Sequence, residues 1–411
     1  MKSFKVELLD EYIFLQNKAN DHQIRFVVEL NGHIDTGRLK KAVEQSIIIV
    51  PLLACRLVVQ GPGYIWQEIP TVKLEDYIEV YEKDEINNDR LVEVLGKRPD
   101  HFRGPQLLIS VLRSAVRDVL LITINHMALD GSGFKQYLVL LSSLYNGGPV
   151  TAYNENRDLF SVIDGPRHEI KIIKSRARGC AGFLTDAGLD RKAKLFVHRI
   201  ENADFRKIRN FCKSKNASVN DIMMTLFVMS LLDAGYLRLN KKFSISMMID
   251  ARRYDTDGLL SPFVNAASME KVFFSLPKEE TESALAIMHE ELAGIKDNSP
   301  GLANLLKLKR LKSLLPAKLY RRVLAWIIQK PNVSATNLGV LKGGDIGFKD
   351  LETESAYFVT SLKKNNSLQF TFSAYNDELT ITSFGLYSNA QVEAIAFIYK
   401  CLKDRINRLV N

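Results

Sequence analysis

Apolar positions along the chain recur in two periods, one of a strand and one of a helix, and the two alternate. A short helix-like segment opens the sequence, and residues 24–30 then have the pattern of a strand. Asp35 fits a helix N-cap, and Leu39, Ala42, Val43 and Ile47 behind it predict an amphipathic helix that ends before Pro51. Residues 53–59 and 64–69 predict a hairpin around Gly61-Pro62-Gly63. Residues 107–112 and 119–125 predict two further strands, joined near Arg117-Asp118. After Gly133, residues 134–145 predict a helix closed by Asn146-Gly147-Gly148-Pro149. The stretch 153–191 is polar, basic and without period, so the inter-domain linker is placed there.

Beyond it, residues 194–200 predict a strand, and Ser218-Val219-Asn220-Asp221 fits a capping box. The helix it opens, 222–232, is apolar on nearly every side and reads as a buried core helix. Residues 243–249 predict a strand ending at Asp250; strands follow at 355–362, 368–375 and 378–384, the last two joined by an Asn376-Asp377 turn. A helix from 389 to about 409 finishes the chain. Strands and helices mix in both halves. The expectation is an α/β (α+β) protein of two lobes, 1–160 and 192–411, with a linker at 161–191.

Composition narrows the class only modestly. Of 411 residues, 46% are hydrophobic and 25% charged, as expected of a globular chain with a real core. No uncharged apolar run approaches the roughly 18 residues of a spanning helix, and the first 17 residues lack a signal peptide's apolar stretch. Cys55, Cys180, Cys212 and Cys401 are widely spaced and form no CxxC pair, which suits a reduced cytoplasm and buried, unreactive thiols. The net charge of +9 makes an anionic ligand or surface plausible without choosing one. Eight of the positive charges fall within 305–330: Lys307, Lys309, Arg310, Lys312, Lys318, Arg321, Arg322 and Lys330. No acid interrupts them, and Pro316 divides the stretch into two helices. It reads either as a solvated helical face or as a surface for CoA phosphates, an acyl-carrier protein or membrane lipid. No motif of nucleic-acid recognition accompanies it, so nucleic acid is not an expected partner.

The chemistry concentrates at residues 120–131. An apolar strand, Leu120 to Asn125, delivers His126 to its end, with Asp130 four positions on and Gly131 next. A sheet fixes an ionisable group at such a position while the following loop leaves it reachable. The strand pattern argues against His126 and Asp130 sharing a helical face, and no third metal ligand is evident, so no metal is expected.

The run His126-Met127-Ala128-Leu129-Asp130-Gly131 resembles the HxxxDG signature of the CoA-dependent acyltransferase superfamily. That superfamily includes chloramphenicol acetyltransferase, alcohol acetyltransferases, plant BAHD acyltransferases and nonribosomal peptide condensation domains. Further segments agree in order. Pro51-Leu52-Leu53-Ala54-Cys55-Arg56 follows a first long helix, and Ser218-Val219-Asn220-Asp221 is similar to the T-x-N-D helix start. Ile249-Asp250-Ala251-Arg252-Arg253 is similar to V-D-L-R, and Ser334-Ala335-Thr336-Asn337-Leu338-Gly339 to S-N-L-G. Condensation domains usually carry two adjacent histidines, whereas the first of these positions is Asn125 here, which leans towards the alcohol acetyltransferase branch.

The resemblance implies two chloramphenicol-acetyltransferase-like lobes, each a mixed sheet flanked by helices, with an active-site tunnel between them. It implies His126 as general base in moving an acyl group, acetyl by default, from acyl-CoA to a small-molecule alcohol or amine. No cofactor would be bound; acyl-CoA would be a co-substrate. It implies that Asp130 points away from substrate and pairs with Arg252, or failing that Arg253, to hold the loop. Gly131 would serve a tight turn or close approach, and Asn337 and Thr336 are candidates to bind substrate as donors to an oxyanion. A carrier-protein thioester as donor, or a catalytically idle homologue that only docks a partner, are the alternatives.

Overall fold

A computed structural model describes residues 1–71, 73–82, 85–163, 178–179 and 190–411. Most of the expected linker, 164–177 and 180–189, lies outside the described residues. The first part of the chain runs β1 (Ser3–Lys5), α1 (Leu8–Phe14), β2 (Gln23–Leu30), α2 (Thr36–Ile49), β3 (Cys55–Gln60) and β4 (Gly63–Glu68). It continues through β5 (Ile78–Glu82), α3 (Asn88–Leu95), β6 (Leu107–Arg113), β7 (Asp118–Asn125), α4 (Gly131–Tyr145) and α5 (Leu159–Ile163). Then come β8 (Arg178–Gly179), β9 (Lys192–Ile200), α6 (Asn202–Ser214), α7 (Val219–Asp233), β10 (Phe243–Asp250), β11 (Ala267–Phe274) and α8 (Thr281–Lys296). The chain ends with α9 (Leu302–Leu314), α10 (Ala317–Ile328), β12 (Val333–Leu341), β13 (Thr353–Val359), β14 (Leu368–Tyr375), β15 (Glu378–Tyr387) and α11 (Asn389–Val410).

Local chemistry sets several of these boundaries. Asp35 caps α2 by accepting from the amides of Gly37 and Arg38, and α2 stops before Pro51. Ser218 and Asp221 close a reciprocal capping box at the start of α7, whose residues 221–231 are all buried. Asn376 and Asp377 both take positive φ, 45° and 66°, the geometry a two-residue hairpin turn requires between β14 and β15. Helix α4 begins at Gly131, three residues ahead of the sequence expectation, because Asp130 caps it. Strands β1, β5, β8, β11 and β12 and helices α3, α5, α6 and α8 have no counterpart among the sequence expectations.

Two large sheets result. The first has the order β13-β2-β7-β6-β5 and the second β11-β10-β12-β14-β15-β9, with β8 beside β10; β1, β4 and β3 form a small third sheet. One face of the first sheet, with Phe26, Val28, Leu120, Ile122 and Ile124, packs on α2 and α4 through Leu39, Val43 and Phe134. The second sheet buries Ile245, Ala335, Phe370 and Ile381 against α7, α8 and α11. The opposite face of the first sheet, with Val27, Leu121 and Tyr357, meets Leu195 and Phe384 of the second.

The two lobes interlock. Strand β13 comes from the second half of the chain but pairs antiparallel with β2, with Ala356 opposite Val28. It stays tied to its own half: the Phe358 amide donates to Ser373 Oγ at 3.1 Å and the Thr382 hydroxyl to the Phe358 carbonyl at 2.8 Å. No helix among the described residues is long and apolar enough to cross a membrane.

Candidate active site

Strand β7 is buried along its whole length, with neighbours on both sides, so its C-terminal end is held in place by the sheet. Asn125 is its last residue. Its side-chain amide donates to Gln106 Oε1 at 2.6 Å, and its Oδ1 accepts from the Met127 amide at 3.0 Å. An Asn side chain bonding the backbone two residues on folds the chain into a turn. The Ala128 amide closes that turn on the Asn125 carbonyl at 2.9 Å. Asn125 therefore shapes the loop rather than facing a substrate, which gives the departure from the two-histidine pattern a structural role.

His126 begins the turn. Its amide donates to the carbonyl of His22 at 2.7 Å. Nδ1 is closed off and has no hydrogen-bond partner, although the carbonyls of His126 itself and of Leu129 lie near enough to favour protonation. The residue as a whole keeps partial exposure, and Nε2, unlike Nδ1, is not closed off without a partner. Burial lowers the imidazole pKa below its ordinary value; the Asp130 carboxylate opposes the shift and Lys363 adds to it. The lowered pKa favours the neutral ring at pH 7.

Asp130 does not face the imidazole. Its Oδ1 accepts from the Gly133 amide at 2.8 Å, capping α4, and its Oδ2 accepts from Arg252 Nη1 at 2.8 Å and from the Ala266 amide at 2.7 Å. Arg252 continues into the second lobe, donating through Nη2 to the carbonyl of Val264 at 2.6 Å. Burial alone would push the Asp130 carboxyl up. The Arg252 guanidinium and the two amides outweigh it and hold the pKa below the usual carboxylate range. Arg253 is exposed and takes no part.

Gly131 has no positive φ, so no tight turn depends on it, but a Cβ there would lie 2.3 Å from Leu338 Cδ2. Gly133, which sequence reasoning did not single out, is the more confined: a Cβ would meet the Val264 carbonyl oxygen at 2.9 Å and the Pro262 carbonyl oxygen at 3.2 Å. Thr336 is buried on β12, where its Oγ1 accepts from Gln369 Nε2 at 2.6 Å. Asn337 is exposed; it donates to Asn220 Oδ1 at 3.1 Å and accepts from the Gly339 amide at 2.8 Å. Neither is hydrogen-bonded to His126.

Two further segments converge on the site and went unread in the sequence. Residues Asn20-Asp21-His22 lie beside the end of β7, and Ser361-Leu362-Lys363 beside them in turn. Asp21 pairs with Arg25 and accepts from the amides of Gln23 and Leu362. His22 is held at φ 62°, a left-handed conformation uncommon outside glycine, and its Nε2 is closed off without a partner. Burial, reinforced by His101, Lys364 and His126 and opposed by Asp21, drives its pKa down to about 3. The backbone of Lys363 bridges Asn20 of the first lobe to Gly385 of the second. Burial pushes its amine down to about 8 against the pull of Asp21. No signal in a single sequence marks these residues, because the contacts that bring them to β7 and to each other, His126 with His22 and Leu362 with Asp21, join positions more than a hundred apart.

Cys55, Cys212 and Cys401 are buried free thiols, and burial drives Cys55 up to about 12 and Cys212 up to about 11, which leaves both unreactive. Cys180 lies outside the described residues.

No family model matches the chain. An uncharacterised protein of Mycobacterium tuberculosis (strain ATCC 25618 / H37Rv) is 22% identical over 246 residues, 56% of this chain and 57% of that protein. The match thus spans little more than half of that relative's length. Among solved structures, the TRI3 trichothecene 15-O-acetyltransferase from Fusarium sporotrichioides superposes over 96% of this chain and 93% of its own, with a TM-score of 0.70 at 15% identity. The epimerization domain from the third module of tyrocidine synthetase B does so over 100% and 96%, with a TM-score of 0.68 at 14% identity. The fold is therefore the two-lobed, chloramphenicol-acetyltransferase-like fold shared by CoA-dependent acyltransferases and condensation domains.

Proposed function

We propose that this chain, built on the acyltransferase–condensation fold, moves an acyl group from a thioester to a hydroxyl or amine, with His126 as general base. The observation that carries the proposal is the state of the His126 ring. It is kept neutral by burial, partly exposed, and fixed at the end of a strand buried along its whole length. An alcohol scarcely ionises at neutral pH, so its proton must leave as its oxygen attacks the thioester carbonyl. Nε2 takes that proton, and the tetrahedral intermediate collapses to the ester and a thiolate. The imidazolium then returns the proton to the thiolate, leaving the enzyme unchanged. Asp130 and Arg252 hold the loop and take no proton. Thr336 and Asn337 are assigned to the oxyanion: the hydroxyl proton of Thr336 has no acceptor among the described residues, and Asn337 is exposed at the end of the same strand segment.

The acyl donor we assign is a CoA thioester, with acetyl-CoA as the first to test. A carrier-protein thioester is the second reading, and the surface of α9 and α10 favours it. Lys312 and Arg321 are committed to Glu11. Lys307, Arg310, Lys318, Arg322 and Lys330 are exposed beside Leu319, Trp326 and Ile327. Such a face suits an acidic carrier protein or an anionic membrane surface.

The test is release of free thiol by the purified protein with acetyl-CoA and a panel of alcohols and amines, run in parallel with carrier-bound thioesters. His126→Ala is expected to lower turnover by roughly 10²- to 10⁴-fold. Full activity in that variant would refute the assignment, and tight carrier binding without any turnover would favour the idle homologue.

A further inference from the structure

A cavity of about 350 Å³ opens at the seam between the lobes, and His126 is not among the residues that line it. The second lobe contributes Val197 and Arg199 of β9, and the first contributes Glu29 of β2, Val119 of β7 and Leu91 of α3. Val119 stands at the opposite end of β7 from His126, roughly 20 Å away at the rise of a strand. The volume is that of a small-molecule site. Three charged side chains line it, Arg117, Arg199 and Glu29, which leaves one positive charge in excess. Arg199 is committed: it pairs with Glu29, and its guanidinium lies 5.4 Å from the centre of the Tyr357 ring. Arg117 is positioned but not committed. Its amide donates to Ser114 Oγ at 3.1 Å and its carbonyl accepts from the Ser114 amide at 2.9 Å, which fixes the turn that carries it. Its guanidinium reaches only Glu354 at 3.5 Å and Glu29 at 3.7 Å, both through Nη1. Nε and Nη2 have no hydrogen-bond partner among the described residues. Glu354 is about half exposed, so water screens its pull on Arg117.

We propose that this cavity binds a carboxylic acid with an apolar body, a medium-chain fatty acid in the first instance. The carboxylate takes the uncommitted edge of the Arg117 guanidinium, whose planar fork matches two carboxylate oxygens. The chain lies against Ile86, Leu91, Val119 and Val197, the aliphatic part of the wall. One carboxylate cancels the excess charge of the lining, which a neutral alcohol of the same length leaves uncompensated. A ligand held there touches both lobes, because β9 supplies one wall and β2, β7 and α3 the others, and it leaves His126 free. The cavity is thus an effector site rather than a second place for chemistry. Nothing in it depends on acyl transfer at His126.

The probe is octanoate, with 1-octanol as its uncharged counterpart, each titrated into the full-length protein by isothermal titration calorimetry. Octanoate is expected to bind roughly 10- to 100-fold more tightly than octanol, the worth of a hydrogen bond to a charged group. Arg117→Gln should bring octanoate down to the affinity of octanol, and Arg117→Lys should keep part of the difference. Val197→Trp fills the cavity from β9 and should abolish binding of both ligands. Neither position is buried, so both variants are expected to fold, and an unchanged melting temperature without ligand checks that they do. His126→Ala should leave octanoate binding as it is. Loss of binding in that variant would place the acid in the catalytic site and overturn the proposal. So would the absence of octanoate binding, equal binding of the two ligands, or full octanoate affinity in a folded Arg117→Gln or Val197→Trp protein.

Discussion

A base works only in its unprotonated form, so in the proposed reaction the environment of one imidazole would set the acid limit. Burial and Lys363 lower the pKa of His126, and Asp130 resists them without prevailing. Activity should therefore persist below pH 6.5, the ordinary histidine value, and fall as pH drops through the depressed pKa. Removing the cation in Lys363→Met relieves part of the depression, so the acidic limb of kcat/KM against pH should move to higher pH. A limb that stays in place would show that the Lys363 charge does not act on His126. Of these groups His126 and Asp130 are legible in the sequence, because the HxxxDG spacing that joins them is local and is a signature. His22 and Lys363 are contributed by segments whose relation to β7 exists only once β2 and β13 have paired beside it.

At the level of elements, the site depends on how α4 starts. Asp130 caps it, and the same carboxylate reaches across to Arg252 and the Ala266 amide. Removing one partner of a buried pair typically costs about 3–5 kcal/mol. Asp130→Ala should therefore lose stability on that scale in urea denaturation, together with activity. The two glycines of the first turn should differ in a way the motif does not suggest. A methyl at Gly131 would strike the tip of the Leu338 side chain, which can turn aside, whereas one at Gly133 would strike two backbone carbonyl oxygens that cannot. Gly133→Ala is expected to cost about 1–3 kcal/mol by overpacking and Gly131→Ala less, a ranking that melting temperatures will check. Caps and turns such as Asp35, Ser218 and Asn376-Asp377 could be read in advance because each acts within four residues. The start of α4 could not, since Gly131 and Gly133 argue locally against a helix and only the contact with the second lobe makes them fit.

Across the whole molecule, the same interlocking that builds the site stores a sensitivity to acid. Asn20-Asp21-His22 is clamped between β7 and the segment after β13, so His22 is buried before any substrate arrives. Its folded pKa of about 3 lies well below the unfolded value of about 6.5. Between those limits the unfolded chain binds a proton that the folded chain refuses, so this residue's contribution to stability is fully present above pH 6.5. It is lost at about 1.4 kcal/mol per pH unit as the pH falls. Asp21 works against that loss, whereas His101, Lys364 and His126 contribute to it, so the slope belongs to the cluster as well as to the ring. His22→Asn isolates the ring's share: asparagine tolerates the left-handed backbone at φ 62° and carries no titrating group. Urea midpoints measured from pH 7 to pH 5 should fall less steeply in His22→Asn than in the parent, by close to one proton's worth of slope. Identical slopes would mean that His22 is protonated in the folded state.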